Sequence, residues 1–224
     1  MTHTLLLVGS PRGRKSSSSS ISAYLEAKLS EKGYENETLW ISEQLVTEDR
    51  IKAMMEAIQK SDTVVLTAPL YDDCQPYIVT KTMEIMGELG NLDGKQFIPI
   101  INSGFPQVEQ ITRAAIPIYR IFAKKTGLTW KGSLAIGGGE ALQGATGKTL
   151  EEAGGASNQV RIELDKIVDS ISNNTSYDDN ETLTMPKFLL SPAIGQVMAW
   201  INNRGWKAMA KQNGEKVDAR PYAK

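Results

Sequence analysis

Apolar runs alternate along the chain with longer segments in which apolar residues recur every three or four positions. Most of the runs are continuous, which is typical of strands that are buried on both faces of a sheet. The predicted strands span residues 4–9, 34–41, 62–68, 96–102 and 129–137. The predicted helices span residues 17–32, 48–60, 77–89, 108–126 and 157–172. The pattern therefore predicts a regular alternation of strand and helix.

Strands and helices that alternate with short links are typical of right-handed βαβ units and a parallel sheet. We therefore predict an α/β fold with a doubly wound five-stranded parallel sheet. Such sheets bind ligands at the carboxyl ends of their strands, near the point where the strand order reverses. The loops after the first, third and fourth strands are expected to meet at one site.

The end of the chain departs from this alternation. Residues 173–180 are polar and turn-prone, and they predict a linker after a domain at residues 1–172. Ser191 followed by Pro192 is typical of a helix N-cap and first turn. A helix beyond them is predicted by the apolar residues Ile194, Val197, Met198 and Ile201.

This C-terminal extension is basic. Residues 181–224 hold seven Lys or Arg and three Asp or Glu, whereas the whole chain carries a net charge of −1. The extension is too short to build its own core, so we expect residues 173–224 to pack on the core or on a partner subunit. A basic amphipathic helix on a membrane surface is the alternative.

Composition narrows the class of protein. Of 224 residues, 41% are apolar and 23% are charged, which is ordinary for a globular domain. The net charge of −1 argues against a broad nucleic-acid surface. No run reaches the roughly 18 apolar residues of a membrane span, and basic residues follow the first apolar run, the reverse of a signal peptide's order. We expect a cytoplasmic protein.

Cys74 is the single cysteine and His3 the single histidine. One cysteine excludes an intrachain disulfide, a thiolate-bound iron–sulfur cluster and a zinc cage. One histidine leaves no material for a Ser-His-Asp triad or a histidine-rich metal site. We predict no metal and assign no catalytic side chain.

The first predicted strand runs into a loop of small, hydroxylated and basic residues that ends in a helix. Helix starts carry unpaired N–H groups and the positive end of the helix dipole. Serine hydroxyls add donors, and Arg12, Arg14 and Lys15 add positive charge. The loop therefore predicts a phosphate-binding site, with a serine-rich linker as the alternative.

Two common phosphate motifs do not fit this loop. A nucleoside-triphosphate P-loop needs four residues between its first two glycines, but Gly9 and Gly13 enclose three. The G-x-G-x-x-G dinucleotide fingerprint also fails after the first strand. The spacing thus argues against nucleoside triphosphates and dinucleotides at this position.

Two loops together carry a resemblance to a known family. The residues concerned are Gly9-Ser10-Pro11-Arg12 with the serines that follow, Pro69-Leu70-Tyr71, Pro76 and Lys81. Over roughly residues 4–172, the chain resembles the flavodoxin-like NAD(P)H-dependent FMN reductases. The resemblance implies a flavodoxin-like sheet with strand order 2-1-3-4-5, FMN as cofactor and a homodimer.

The resemblance also implies the residues of an FMN site. The phosphate would be surrounded by Ser10, Arg12, Lys15, Ser17, Ser18 and Ser19. The isoalloxazine ring would be lined by Pro69, Leu70, Tyr71 and Asp72 on one side, and by Asn102, Ser103, Gly104 and Phe105 on the other. Tyr71 is alternatively a partly buried loop tyrosine, and Pro69 and Pro76 alternatively only shape their loop.

The implied function is an oxidoreductase that takes a hydride from NAD(P)H and passes it to a small-molecule acceptor: a flavin, a quinone, or an azo or nitro compound. Such chemistry is carried by the cofactor, so a site without histidine is compatible with it. Three alternatives stay open: a flavodoxin-type electron carrier, a non-enzymatic flavin-binding scaffold, and a protein that binds another phosphorylated ligand.

Overall fold

The computed structural model describes residues 3–90, 92–185 and 192–218. The chain divides into two compact units, Met1–Met185 and Pro186–Lys224. The first unit holds a sheet covered by helices, and the second holds one long helix.

The strands of the first unit form a single parallel sheet. They are β1 (His3–Val8), β2 (Glu35–Trp40), β3 (Thr63–Pro69), β4 (Gln96–Asn102), β5 (Thr129–Trp130), β6 (Leu134–Gly137) and β7 (Asn180–Leu183). Within the described residues the order is β2-β1-β3-β4-β6-β7, and β5 pairs with β4. The predicted order 2-1-3-4-5 is confirmed, with β5 and β6 together in the fifth place.

The fifth predicted strand, residues 129–137, is interrupted at Gly132. This residue has φ of +111°, and a Cβ there would lie 1.5 Å from the carbonyl oxygen of Tyr177. The N–H of Tyr177 donates to the carbonyl of Lys131 over 2.7 Å. Because a distant segment bonds to the chain at this point, β5 and β6 are separate strands.

Part of the segment predicted as linker and extension forms an edge of the sheet. β7 pairs in parallel with β6, from Leu134↔Asn180 to Gly137↔Leu183. Of its four residues only Thr182 is buried, so the hydrophobic pattern gave no signal for a strand. The first unit extends to Met185, and the predicted boundary after residue 172 falls before the structural one.

Helices cover both faces of the sheet. They are α1 (Ser17–Glu31), α2 (Ile41–Gln44), α3 (Glu48–Lys60), α4 (Tyr77–Leu89), α5 (Ile116–Thr126) and α6 (Asn158–Ser172). α1 and α6 pack on one face, and the other four pack on the opposite face. Along β1, Leu5 and Leu7 join one core cluster and Leu6 joins the other. This two-sided burial explains the continuous apolar runs of the sequence.

The predicted helix 108–126 is not regular. A π-helical turn, Ile111–Ala115, precedes α5. Pro117, in the first turn of α5, has no N–H to donate to the preceding turn. π-Helical turns are rare in proteins as a whole, but those that occur are often found at functional sites. This one follows the loop after β4.

The second unit contains α7 (Pro192–Gln212). The helix begins at the proline predicted for its first turn, while Ser191, the predicted N-cap, lies outside the described residues. Trp200 and Trp206 are 62% and 57% exposed. In the described part of the chain, no helix is both long and apolar enough to cross a membrane. The packing partner expected for this extension stays a prediction.

Gly9 lies at the tightly packed end of β1. A Cβ at this position would lie 2.4 Å from Cγ2 of Val79 and 3.2 Å from Cβ of Ala68. Its N–H donates to the carbonyl of Thr67 over 2.7 Å, which fixes the backbone against β3. Only glycine, which has no Cβ, therefore fits at the position where the first loop leaves the sheet.

Replacement of Gly9 by alanine should lower the free energy of unfolding by about 1–3 kcal/mol, because the added methyl group overlaps Val79. Gly87→Ala is the matched control: Gly87 is exposed in α4 with no atom near its Cβ position. That change should raise stability by about 0.5–1 kcal/mol, since alanine favours the helix. Urea unfolding followed by circular dichroism measures both, and unchanged stability of G9A would contradict the packing.

Candidate functional site

The loops after β1, β3 and β4 meet at one edge of the sheet. β1 pairs with β3 up to Val8↔Thr67, and β3 pairs with β4 up to Pro69↔Asn102. Just beyond these pairs, the N–H of Leu70 donates to the carbonyl of Asn102 over 2.8 Å. The convergence expected from the parallel sheet is thus present.

The side chain of Asn102 ties this edge together. It is buried, and its Nδ2 donates to Ser18 Oγ over 2.9 Å and to the carbonyl of Ala68 over 3.1 Å. One amide therefore joins the ends of β3 and β4 to the first turn of α1. The side-chain N–H groups of Asn102 are thus already bonded within the protein.

The first loop enters α1 through a serine cap. Ser16 has extended backbone angles, and its Oγ accepts the N–H of Ser19 over 3.1 Å and donates to the carbonyl of Gly13 over 2.7 Å. The N–H groups of Ser17 and Ser18 have no acceptor among the described residues. The loop thus leaves two backbone N–H groups unpaired at a helix start, which is the usual place for binding an anion.

The serine hydroxyls of this loop are bonded within the protein. Ser10 is buried and its Oγ accepts the N–H of Arg12, while the Oγ of Ser17 donates to the carbonyl of Gly139. Ser18 bonds to Asn102, and Ser19 accepts the indole N–H of Trp40 over 3.0 Å. Because the oxygens of Ser10, Ser18 and Ser19 only accept in these bonds, their O–H groups have no acceptor among the described residues, whereas the O–H of Ser17 already donates to Gly139.

The three cations of the loop differ in their partners. Arg14 makes a two-point contact with Glu43, at 2.7 and 3.0 Å, and its guanidinium lies 3.7 Å from the ring centroid of Trp40. Arg12 makes one longer contact with Glu140, at 3.4 Å. Lys15 is exposed and has no ion-pair partner in the described ranges. Arg12 and Lys15 are the cations that a ligand can recruit.

A cavity of about 300 Å³ lies between the loops after β3 and β4. It is lined by Leu70, Tyr71, Asp72, Asp73, Ser103, Gly104, Phe105, Gln110 and Glu140. Tyr71 and Phe105 are 44% and 72% exposed, so two aromatic side chains stand at its surface. Its volume is at the lower end of the range for small-molecule sites.

The residues predicted to line the isoalloxazine ring divide into two groups. Leu70, Tyr71, Asp72, Ser103, Gly104 and Phe105 line this cavity. Pro69 ends β3 beside it, and Asn102 is turned inward to α1. Ser103 is buried, and its Oγ accepts the N–H of Phe105 over 3.2 Å. Of the six predicted residues that line the cavity, Tyr71, Asp72, Gly104 and Phe105 are exposed.

A tight turn shapes one wall of the cavity. Tyr71 and Cys74 exchange backbone hydrogen bonds of 2.9 and 3.0 Å, and φ is +46° at Asp72 and +62° at Asp73. Two central residues with positive φ define a type I′ turn, which aspartate tolerates better than most residues. The turn brings two carboxylates to the mouth of the cavity.

Tyr119 of α5 is buried, and its hydroxyl has no hydrogen-bond partner among the described residues. Burial, and to a lesser extent the nearby Cys74, raise the pKa of this phenol above its ordinary range. Tyr119 is therefore a neutral, buried member of the core.

The segment after β6 contributes to the site, which the sequence analysis did not predict. The N–H of Gly139 donates to the carbonyl of Ser103 over 2.6 Å. A Cβ on Gly144 would lie 2.5 Å from the nitrogen of Ser17, so this backbone lies against the start of α1. Glu140 lines the cavity and pairs with Arg12. The three glycines at 137–139, where the fifth predicted strand ends, were the sequence feature that could have indicated this contribution.

A larger cavity of about 490 Å³ lies at the opposite edge of the sheet. It is lined by Ser61, Asp62, Asp93, Gly94, Lys95, Gln96, Ile171, Ser172 and Asn174. Its walls include the segments that lead into the amino ends of β3 and β4, where the predicted ligand loops do not reach. Aromatic side chains are not part of this lining. Most of the residues predicted to line the isoalloxazine ring therefore lie at the smaller cavity, and none of them lines this one.

Asn102→Ala should lower the free energy of unfolding by about 1–3 kcal/mol, because it leaves Ser18 Oγ and the carbonyl of Ala68 without their buried donor. Asn158→Ala is the control, since the side chain of Asn158 is exposed and bonds only to Arg161. Urea unfolding should show a change within about 0.5 kcal/mol for the control. Equal stabilities of the two variants would contradict the bridging role.

No protein-family model and no curated protein matches the chain. Several solved structures, however, are similar to the chain. The apo form of an NADH:FMN oxidoreductase, EMOB, is 15% identical with a TM-score of 0.56, over 85% of this chain and all of that one. A flavodoxin of Streptococcus pneumonia TIGR4 is 11% identical with a TM-score of 0.55, over 78% of this chain and all of that one.

An oxidoreductase from Corynebacterium diphtheriae is 16% identical with a TM-score of 0.52, over 78% of this chain and 99% of that chain. At such identities the likeness concerns the fold. Strand order, helical layers and structural neighbours agree, and the first unit of the chain has the flavodoxin-like fold.

Proposed function

We propose that the chain is an FMN-dependent oxidoreductase that takes a hydride from NAD(P)H and passes it to a flavin, quinone, azo or nitro acceptor. The strongest support is a matter of position. The cavity that Tyr71 and Phe105 line lies at the same edge of the sheet as the loop after β1, and Glu140 of the cavity contacts Arg12 of that loop. An NADH:FMN oxidoreductase is among the proteins with this fold, which is support by analogy.

The phosphate half of the site fits the chemistry of FMN. The free N–H groups of Ser17 and Ser18 lie at the start of a helix, where an anion is stabilised by donors and by the dipole. Arg12 and Lys15 would add charge-assisted hydrogen bonds. Ser16 would act indirectly, since its hydroxyl both accepts and donates within the loop, while the O–H of Ser10 would be free to donate to the phosphate.

The ring half fits a flat, largely apolar group. Tyr71 and Phe105 would offer aromatic faces, and Gly104, which has no side chain, would let the backbone approach. Leu70 would add an apolar contact at the base. FMN, when bound, supplies the transfer of electron pairs, so the protein needs no acid–base side chain for the central step. The chain's own part is to hold the ring with one face accessible to NAD(P)H and then to the acceptor.

A flavodoxin-type electron carrier is the second candidate, because a flavodoxin shares the fold. Carriers of that kind are typically strongly acidic, whereas this chain has a net charge of −1. The charge favours an enzyme over an electron carrier.

We also propose a homodimer in the cytoplasm, as the resemblance to the FMN reductases implies. The single cysteine is compatible with a reducing compartment.

Arg12→Ala should weaken FMN binding by roughly 10-fold or more, because it removes a charge-assisted contact to the phosphate. Binding of riboflavin, which lacks the phosphate, should change by less than about twofold. Arg14→Ala is the matched control, since Arg14 is held by Glu43 and Trp40. Flavin fluorescence quenching measures all of these affinities. Equal losses for FMN and riboflavin would contradict the assignment of Arg12.

The wild-type protein should take up FMN, show its visible absorption, and oxidise NADH or NADPH in steady state with at least one acceptor class. The panel comprises free flavin, a quinone, an azo dye and a nitroaromatic compound. A colourless protein that takes up no FMN in titration would refute the proposed function. Bound FMN without any NAD(P)H oxidation would favour the carrier or the scaffold.

A further inference from the structure

We propose that Glu140 competes with the flavin phosphate for Arg12, and so lowers the affinity for FMN without affecting unphosphorylated flavin. This inference rests on the proposed function, because it assumes a flavin phosphate at the first loop. Glu140 is then a residue that determines how strongly the site prefers FMN to unphosphorylated flavin.

The first argument is the position of Glu140. Its carboxylate lies 3.4 Å from Nη1 of Arg12, and its Cγ would lie 3.4 Å from a Cβ on Gly104. It also lines the aromatic cavity. The side chain therefore stands between the cation of the phosphate loop and the cavity for the ring, where a bound flavin would extend from one to the other.

The second argument is the rigidity of the backbone that carries it. Glu140 belongs to a short 3₁₀ turn, Gly139–Leu142, whose first and last residues are buried. Gly139 is held at both ends: its N–H donates to the carbonyl of Ser103, and its carbonyl accepts from Ser17 Oγ. Because this backbone is fixed, the Cα of Glu140 has a defined position near Arg12, and only the side-chain rotamers must be ordered for the contact.

The third argument is the weakness of the pair. The side chains of Arg12 and Glu140 are 47% and 67% exposed and share a single 3.4 Å contact. Exposed pairs of this kind contribute little to stability. By contrast, Arg14 is held by two contacts to Glu43 and by stacking on Trp40. A phosphate carrying up to two charges can displace Glu140 from Arg12, but the carboxylate continues to repel it at short range.

Glu140→Gln tests the competition, because the amide keeps the shape and removes the charge. The variant should bind FMN about 3- to 10-fold more tightly than wild type at low salt. Its affinity for riboflavin should change by less than about twofold. Glu43→Gln is the matched control, since it neutralises the carboxylate that holds Arg14, and its FMN-to-riboflavin ratio should stay within about twofold of wild type.

The double variant Arg12→Ala/Glu140→Gln shows whether Glu140 changes FMN affinity through Arg12. If Glu140 acts mainly through Arg12, removing its charge should alter FMN affinity much less in the Arg12→Ala background than in wild type. The gain from Glu140→Gln should also shrink in 0.5 M NaCl, because salt screens exposed charges. Flavin fluorescence quenching gives the affinities, and circular dichroism confirms that each variant is folded.

Two results would overturn the inference while leaving the proposed function intact: an unchanged FMN-to-riboflavin ratio in Glu140→Gln, or a weaker affinity for FMN. The second would mean that Glu140 orients Arg12 for the phosphate. A wild-type protein that binds neither FMN nor riboflavin would instead refute the proposed function and the inference together.

Discussion

The parallel pairing of β1 with β3, and of β3 with β4, is the constraint on which the site depends. Because these strands run in one direction, their carboxyl ends lie at one edge of the sheet and their loops must meet there. Burial on both faces fixes the register, since a shift of one residue along β1 would exchange Leu5 and Leu6 between the two cores.

At that edge, burial divides the polar side chains into two groups with different tasks. Asn102, Ser16 and Ser18 are buried and hydrogen-bonded, as buried polar groups must be to avoid a large desolvation cost. They hold the loops in place. Arg12 and Glu140 are exposed and only loosely paired, so their partners can change when a ligand arrives. A rigid frame with exchangeable surface charges suits the binding of a phosphorylated group that we propose.

The serine-rich loop shows where sequence reasoning reached its limit. A run of hydroxyls before a helix predicts an anion site, and this stays a prediction, to which the structure adds the unpaired N–H groups of Ser17 and Ser18. Composition does not reveal that the hydroxyls of Ser18 and Ser19 are bonded to Asn102 and Trp40. β7 was missed for a related reason: an exposed edge strand has no hydrophobic pattern, and its pairing with β6 provides its stability.

The sequence by itself determined the alternation of strands and helices, and through it a parallel sheet whose loops meet at one edge. These follow from the periodicity of apolar residues, which is a local property of the chain, whereas the strand order was implied by the resemblance to a known family. The tertiary structure decided which side chains of those loops are exposed and which are bonded inside the protein. Ser18 and Asn102 are 84 positions apart, and Arg12 and Glu140 are 128 positions apart. Contacts over such separations arise only when the packed sheet brings its loops together, so no local pattern could have predicted them.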